Sequence, residues 1–459
     1  MNLLTSRNKT KLSHVSLILL LQGTLFSVVW AQTPQPESPA PLLTLDEAVR
    51  IATSHNRDVQ ISELNVTKAK EEVAQAKTNY LPSLDANVLG GIPLQPLDFR
   101  VPAGSFGTYP ATGPIPGKAS NIHSPQRFGA LINASASQPL TQLHKTNLAV
   151  QQARVGTAIA QEDVRTQEQE ITRQVKDAYY RVAQLQAQIE GAKATVKSLM
   201  ELSALTQRRL VAQTVLASDP LTVKAKLKQQ QYQLLTLEDS FELQKQSLNH
   251  LLGRDLRNQF TVEMQPAADL TEADLEMARK QALDQRPEIR EARLQTKSAQ
   301  LQVRRERAKY IPDLSLAMQY ISFQNFSLLP QNAGMVGFQL QWQPFDWGYK
   351  KHRIRELKAA TQQKLVTEQD TEQKVLLDVE DKFRKLEQAR MLLEAQTDTR
   401  EAEQVKLREV TNRYSQQAAL LSDLLAQQAT LSQAEAQYQQ ALAGFWTARA
   451  EYDKAIGAN

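Results

Sequence analysis

The side chains that could perform catalysis or bind a metal are scattered through this chain of 459 residues. Cysteine is absent, which excludes thiol nucleophiles, disulfides and Cys-ligated metal sites. The six histidines lie at positions 14, 55, 123, 144, 250 and 352, and none has a metal-ligand spacing such as His-Glu-x-x-His. There is no Gly-rich phosphate loop and no Gly-x-Ser-x-Gly turn. The sequence therefore predicts no catalytic residue, no cofactor and no bound metal.

Two carboxylates recur in the same local context, 204 residues apart. They belong to Ser218-Asp219 and Ser422-Asp423, and Gln213 and Gln417 precede these pairs at the same offset. A Ser-Asp pair at the start of a helix is a capping signal, so both Asp residues are candidate helix N-caps. The repeated context places Asp219 and Asp423 at equivalent positions in the two halves.

The first 31 residues have the layout of a secretory signal peptide. Arg7, Lys9 and Lys11 precede an apolar run over 15–30, and Val29-Trp30-Ala31 offers a cleavage site. An uncleaved anchor helix is the alternative. Without Cys at the new N-terminus, a lipid anchor is not expected.

Composition limits the remaining classes of protein. The Pro-rich segment 32–41 predicts an extended N-terminal arm. Removal of residues 1–31 takes away three cations and no Asp or Glu, so the formal charge falls from +5 to +2. A nucleic-acid partner then lacks electrostatic support. A mean hydropathy of -0.44 excludes a polytopic helical membrane protein.

The chain is internally duplicated. Tyr80-Leu81-Pro82 matches Tyr310-Ile311-Pro312 at an offset of 230, and Ser218-Asp219 matches Ser422-Asp423 at 204. A period near 200 is too long for a solenoid repeat. It predicts either a duplicated domain or one domain with internal pseudo-twofold symmetry. The predicted repeats are 42–257, with a hairpin at 82–139 and long helices at 141–253, and 258–459, with a hairpin at 312–344 and long helices at 347–457.

Four segments of about ten residues alternate between apolar and polar residues, two in each half. The clearest predicted strand carries one apolar face, formed by Val336, Phe338, Leu340 and Trp342. A tilted strand of this length crosses a bilayer, and the alternation fits lipid on one face and water on the other. An antiparallel sheet over a soluble core is the alternative. Residues 90–125, with six Gly and seven Pro, predict a long turn-rich loop between the first two strands.

The long segments have the period of coiled-coil helices. Residues 141–212 contain no Pro and would form a helix about 108 Å long. Large residues recur every seven positions, as in the series Leu424, Leu431, Tyr438, Phe445 and Tyr452, and alanines form a second series. Sustained heptads with two seams predict helices that have neighbours on two sides.

This arrangement resembles the TolC family of outer-membrane efflux proteins. The resemblance is carried by 43–48 and Tyr80-Leu81-Pro82 in the first half, by 282–312, and by Arg413-Tyr414 with 421–425 in the second. It covers essentially all of residues 42–457. It implies a mainly α fold with long antiparallel coiled-coil helices (an α-barrel) and four strands per protomer that complete a 12-stranded transmembrane β-barrel in a homotrimer.

The resemblance also implies roles for the hairpin tips. Asp219 and Tyr414 correspond to groups that link neighbouring helices in the closed state, and Asp423 to a carboxylate ring at the periplasmic constriction. Gln213 and Gln417 mark the tips where an adaptor protein docks. Three departures predict a less tightly locked entrance: the tip glutamines replace Gly, Ala419 replaces a basic gate partner, and Ala426 replaces a second carboxylate.

Two functions compete for this sequence. The first is an exit duct in the outer membrane of a diderm bacterium, which conducts substrates passively and is not an enzyme. Its partners would be outer-membrane lipid, a periplasmic adaptor and an inner-membrane pump of the RND, ABC or MFS class, with no nucleic acid. The second is a periplasmic coiled-coil adaptor or scaffold, against which the alternation and the duplication argue. An envelope hydrolase has no catalytic motif to support it.

Overall fold

A computed structural model describes residues 41–92, 94–95, 97–124, 127–213, 215–264, 274–325 and 331–458. The predicted signal peptide, 1–31, and the predicted arm, 32–41 except for Pro41, lie outside the described residues. Residues from Leu42 onward form one compact unit. Among the described residues, none of the helices combines the length and the apolar character needed to cross a membrane.

The first half contains four helices and seven strands. In chain order they are β1 (Leu42–Leu43), α1 (Leu45–His55), α2 (Arg57–Thr78), β2 (Ser83–Gly91), β3 (Leu97–Val101), β4 (Thr108–Tyr109), β5 (Gly113–Pro114), β6 (Ser120–Ser124), β7 (Gly129–Pro139), α3 (Leu143–Val211) and α4 (Ser218–Leu251). Among its described residues, the second half follows the same plan but has no counterpart of β3 to β6. Its elements are β8 (Thr261–Val262), α5 (Leu275–Gln285), α6 (Pro287–Ala308), β9 (Asp313–Gln324), β10 (Asn332–Gln341), α7 (Tyr349–Ser415) and α8 (Leu421–Ala455).

The four predicted long strands are confirmed, and they form one antiparallel sheet in the order β10-β9-β7-β2. The prediction for Trp342 was wrong by one residue, because β10 ends at Gln341. Gln341 pairs with Asp313, the first residue of β9. The residue before Asp313 is Pro312, which has no N–H to donate, so the ladder stops there.

The segment 90–125 is more ordered than predicted. It contains two small antiparallel sheets, β3 with β6 and β4 with β5, instead of a loop alone. The prediction missed these strands because a high content of Gly and Pro hides the period of two that indicates a strand.

Each long strand is continued by a helix. Next to the sheet the helices pack side by side in the order α2-α3-α6-α7, which matches the strand order β2-β7-β9-β10. Farther along α3 and α7, the neighbours change and the order becomes α4-α3-α8-α7. The described part of the chain therefore keeps four helices abreast along its length, and α7 is an outermost helix at both levels.

Residues at heptad spacing on the long helices form the core. Val175, Val182 and Ile189 of α3 are buried, as are Val379 and Leu386 of α7. Burial of each such side chain contributes about 1.5–3 kcal/mol. The alanine series is buried as well at Ala434, Ala441 and Ala455, which lets helices approach closely on a second side.

Candidate functional site

The two helix hairpins end in turns that share a left-handed glutamine. The first turn joins α3 to α4, and the second joins α7 to α8. In the second turn, the N–H of Gln417 donates to the carbonyl of Tyr414 (3.1 Å) and that of Ala418 to the carbonyl of Arg413 (2.8 Å). This pair of bonds is the Schellman motif, which satisfies carbonyls at the end of a helix. In the first turn Gln213 makes the equivalent bond to Leu210 at 2.9 Å.

Both tip glutamines have a left-handed backbone. The φ angle is 57° at Gln213 and 62° at Gln417. Glycine is the residue favoured at this position, because a side chain there brings Cβ close to the backbone. The resemblance predicts Gly at these two positions, and the structure shows that the backbone keeps the glycine conformation without the glycine.

The two equivalent aspartates bond back to the turn that precedes them. Asp219 accepts a hydrogen bond from the Leu216 N–H (3.3 Å), and Asp423 accepts one from the Leu420 N–H (3.2 Å). The N-cap residues themselves are Ala217 and Leu420, so the prediction that the aspartates are N-caps was wrong in position. Each carboxylate instead lies in the first helical turn, where it stabilises both a free N–H and the helix dipole.

Tyr414 lies beneath the tips in an apolar cluster shared by the two hairpins. It is buried together with Leu199, Leu202, Val223 and Leu424. No hydrogen bond joins Tyr414 to Asp219 in the part of the protomer that the structure describes. The predicted links between neighbouring helices at these two residues therefore stay a prediction about contacts beyond one protomer.

Arg209 is a residue of this site that the sequence did not indicate. Its guanidinium lies over the Tyr414 ring, 5.1 Å from the centroid, and so covers the buried phenol ring from the side of the tip. A basic residue near the end of a helix is ordinarily explained by the helix dipole. For that reason the sequence carries no signal for the contact, which joins α3 to α7.

Polar contacts fasten the hairpins just behind the tips. Gln428 of α8 donates to the Ser198 hydroxyl of α3 at 3.0 Å. Glu403 of α7 accepts from Lys406 and from Gln427, each at 2.6 Å. The hydrogen bonds from these two donors lower the pKa of Glu403 below its ordinary value, and the bond from Lys406 has the larger effect. Glu403 therefore stays ionised at neutral pH and keeps α7 and α8 joined.

The predicted lipid-facing residues are exposed along the edge strand β10 and just beyond it. The exposed fraction is 68% for Val336, 74% for Phe338, 63% for Leu340 and 58% for Trp342. Such a row of large apolar side chains on an edge strand requires a cover of lipid or protein. No group of three or more acidic or histidine side chains that could hold a metal occurs among the described residues.

The family model for outer membrane efflux proteins matches residues 48–254 and 278–458, which together make up most of the chain. The chain belongs to the outer membrane efflux protein family. The resemblance drawn from the hairpin tips and the duplicated segments is thereby confirmed, and the protein is placed in the outer membrane.

Solved structures of outer-membrane channels share the fold of this efflux-family chain. VceC from Vibrio cholerae is 18% identical, with a TM-score of 0.68 and coverage of 90% of this chain and 96% of that one. CmeC from Campylobacter jejuni is 15% identical, with a TM-score of 0.71 and coverage of 90% and 85%. The open state of MtrE from Neisseria gonorrhoeae is 19% identical, with a TM-score of 0.68 and coverage of 90% and 89%. No curated protein matches the sequence.

Proposed function

We propose that this protein is the exit duct of a tripartite efflux or type I secretion system and that it works as a homotrimer. Substrates pass through it from the periplasm to the exterior without chemistry on the duct itself. A periplasmic adaptor docks at the tips near Gln213 and Gln417, and an inner-membrane pump of the RND, ABC or MFS class supplies the energy.

The observation that carries the proposal is the open sheet with one helix behind each long strand. Strands β2 and β10 are the two edges of a four-stranded sheet, and each leaves a row of backbone groups without a strand partner. A sheet cannot stay open within lipid, because each unpaired N–H or C=O costs several kcal/mol there. Three copies joined edge to edge would close a barrel of twelve strands, and the four helices abreast would close a helical tube behind it.

Electron microscopy of the detergent-extracted protein tests the duct. The expected image is a hollow threefold tube, with a helical part about 100 Å long for the 69 residues of α3 and a barrel of membrane thickness at one end. The competing adaptor or scaffold function predicts small rods that are released by osmotic shock and stay soluble without detergent. That result would overturn the duct and the roles of the tip residues.

At the entrance, we assign Asp423 to a ring of three carboxylates, and Asp219 and Tyr414 to links between neighbouring helices. Asp423 is exposed, and its carboxylate accepts only from the Leu420 N–H and the Ser422 hydroxyl within the described protomer. No cation pairs with this carboxylate within the described protomer, so it is available to ions that pass the constriction, where like charges near one axis attract cations.

Channel recordings in planar bilayers test this assignment. Asp423→Asn keeps an acceptor for the Leu420 N–H and removes the charge, so we expect a lower preference for cations with unchanged insertion. Asp219→Asn is the matched control for the loss of a carboxylate at the equivalent helix start. Equal cation selectivity in Asp423→Asn and the unmodified protein would remove Asp423 from the ring.

A further inference from the structure

The end of α6 and the beginning of α7 carry a group of exposed cations, which form a basic patch. Its members are Arg304 and Arg307 of α6 and Lys351, Arg355 and Lys358 of α7. Among the described residues, no hydrogen bond or ion pair engages any of these five side chains. Uncompensated positive charges in one place raise the electrostatic potential of the surface and attract anions.

The carboxylates near the basic patch are already engaged. The ion pairs in this region are Glu306 with Lys309 and Glu356 with Arg353. Asp346 accepts a hydrogen bond from the backbone N–H of Gly348 at 3.1 Å and so caps the start of α7. The positive charge of the basic patch is therefore not neutralised within the described protomer, and the N-terminus of α7 plays no part in it.

The basic patch spans two adjacent helices at one level, next to the sheet. The Lys350 ammonium lies 5.6 Å from the centre of the Tyr310 ring, and this contact fixes the register of the antiparallel helices α6 and α7. In this register Arg307 is level with Lys351, and the other cations follow within two helical turns. All five therefore lie within about 14 Å of the start of α7, measured along the helix at its usual rise.

On α7, the basic patch lies on the side that carries α5. Lys351 and Arg355 precede Val379 and Phe383 by four heptads, so both pairs share one side of the helix. Val379 and Phe383 belong to the apolar cluster that α5 joins through Ala278. In the proposed trimer, twelve helices about 10 Å apart form a ring about 38 Å across, and six short helices inside it would fill the duct. Helix α5 and the basic patch therefore face outward.

On α6, the cations lie on the same outer side. Arg304 and Arg307 lie across the helix from Gln302, which lines a cavity together with Gln363 of α7. Lys358 lies across α7 from Gln363 in the same way. The cavity and the basic patch are therefore on opposite faces of the helix layer.

A row of exposed aromatic side chains lies between the sheet and the basic patch. Phe345, Trp347 and Tyr349 follow β10, and Trp347 exposes 89% of its surface. The rings of Phe345 and Trp347 contact each other, with 4.7 Å between their centres. Trp and Tyr concentrate where a bilayer meets water, because each joins an apolar ring to a polar N–H or O–H group. The row therefore marks the membrane boundary, and the basic patch begins at the level of the lipid headgroups.

We propose that the basic patch binds the phosphate groups of anionic phospholipids in the leaflet of the outer membrane that faces the periplasm. Three of the five cations are arginines, and a guanidinium group can bind a phosphate through two hydrogen bonds. The acyl chains of the same lipids then lie along the aromatic row and the apolar face of β10. An acidic protein would neutralise the charge of the patch but would leave the aromatic row uncovered, so the surface favours a lipid.

Electron spin resonance of spin-labelled lipids tests the proposal on the full-length protein in phosphatidylcholine vesicles. The spectrum separates lipids that are held at the protein surface from lipids of the surrounding bilayer. We expect spin-labelled phosphatidylglycerol to be held about fivefold more strongly than spin-labelled phosphatidylcholine, which corresponds to one cation beside each anionic headgroup. High ionic strength should reduce this preference, because exposed charges are screened by salt.

Three sets of substitutions assign the preference to the basic patch. The test variant carries Lys351→Gln, Arg355→Gln and Lys358→Gln, and its preference should fall close to parity. The matched control removes three exposed cations far from the sheet, by Lys224→Gln, Lys228→Gln and Arg408→Gln, and it should keep the full preference. The variant with Lys351→Arg and Lys358→Arg keeps the charge and should also keep the preference.

The inference rests on the proposed duct, and the outcomes separate the two. Equal retention of both lipids by the unmodified protein would overturn the lipid site and leave the patch to an acidic protein. An unchanged preference in the test variant, or an equal loss in the matched control, would overturn the patch as its source. Displacement of phosphatidylglycerol by inorganic phosphate, beyond that caused by chloride at equal ionic strength, would show a site for free phosphate instead. A protein that stays outside the vesicles and holds neither lipid would overturn the duct itself.

Discussion

The four longest helices end in the same backbone motif, but with glycine at one end of the bundle and glutamine at the other. The left-handed residue that follows α4 is Gly253 and the one that follows α8 is Gly457, with φ of 68° and 76°, while Gln213 and Gln417 hold this place after α3 and α7. The difference lies in what surrounds each Cβ. A Cβ at Gly253 would lie 2.2 Å from the His55 carbonyl oxygen, whereas both glutamines are exposed. A left-handed backbone conformation by itself tolerates a side chain, whereas close packing around the Cβ position does not.

Substitution of the glycines that follow α4 and α8 should cause the largest loss of stability. We expect Gly253→Ala to lower the free energy of unfolding by about 3 kcal/mol or more, because left-handed strain adds to overpacking against α1. Gly457→Ala should cost less, since its Cβ would meet the Gln285 Cβ at 2.9 Å instead of a backbone oxygen. Thermal unfolding followed by circular dichroism measures both variants.

The control for these variants is Gly156→Ala, in the interior of α3, where an added Cβ meets nothing within 4 Å. It should raise stability by about 0.5–1 kcal/mol, as expected for Gly to Ala in a helix. An unchanged melting temperature for Gly253→Ala would contradict the role of packing at this helix end.

An ion pair beside Gly457 should show an intermediate, pH-dependent effect. Glu170 of α3 accepts hydrogen bonds from Arg173, Gln174 and Lys454. These bonds, of which the one from Arg173 has the largest effect, lower the pKa of Glu170 from 4.5 to about 2. Because this pKa is lower in the folded state than in the unfolded state, the ionised carboxylate stabilises the fold. The stabilisation is complete above pH 4.5 and is lost as the pH falls toward 2. We expect Glu170→Gln to cost about 1–2 kcal/mol at pH 7, after allowance for solvent screening.

Glu403→Gln, behind the tips, is the matched variant for this pair. Its carboxylate also has a lowered pKa, but it accepts from one cation, Lys406, whereas Glu170 accepts from two, so a smaller loss at pH 7 is expected. Denaturant titrations of both variants at pH 7 and pH 4 measure the difference. A loss at Glu170→Gln that does not shrink at the lower pH would argue against an ionic origin.

The tip glutamines should show the smallest effect, and in the opposite direction. Gln213→Gly and Gln417→Gly relieve left-handed strain at exposed positions, so each should raise stability by up to about 1 kcal/mol. Gln213→Ala and Gln417→Ala keep the Cβ and should bring no gain. Stabilisation by alanine equal to that by glycine would show that backbone strain is not what distinguishes these tips.

Much of this fold could be predicted from the sequence, because its long elements repeat with a clear period. The long helices predicted within 347–457 are α7 (Tyr349–Ser415) and α8 (Leu421–Ala455), and Val175 and Val379 are buried at heptad spacing. The small strands between β2 and β7 could not be predicted, since their turn residues mask alternation. The end of β10 was misplaced by one residue because it depends on Pro312, which precedes the neighbouring strand β9.

The functional residues divide in the same way. Asp219 and Asp423 stand out from the sequence because a duplicated Ser-Asp pair is a local signal. Arg209 does not, since its contact with Tyr414 joins residues about 200 positions apart.

The sequence by itself determined the order of the elements, the duplication and the positions where long helices turn, because these depend on neighbours along the chain. Only the tertiary structure decided which helices lie side by side, which helix ends require glycine, and which faces remain exposed in a single protomer. Those features depend on the distances between residues that are far apart in sequence, as between Gly253 and His55. A local pattern carries no record of such distances.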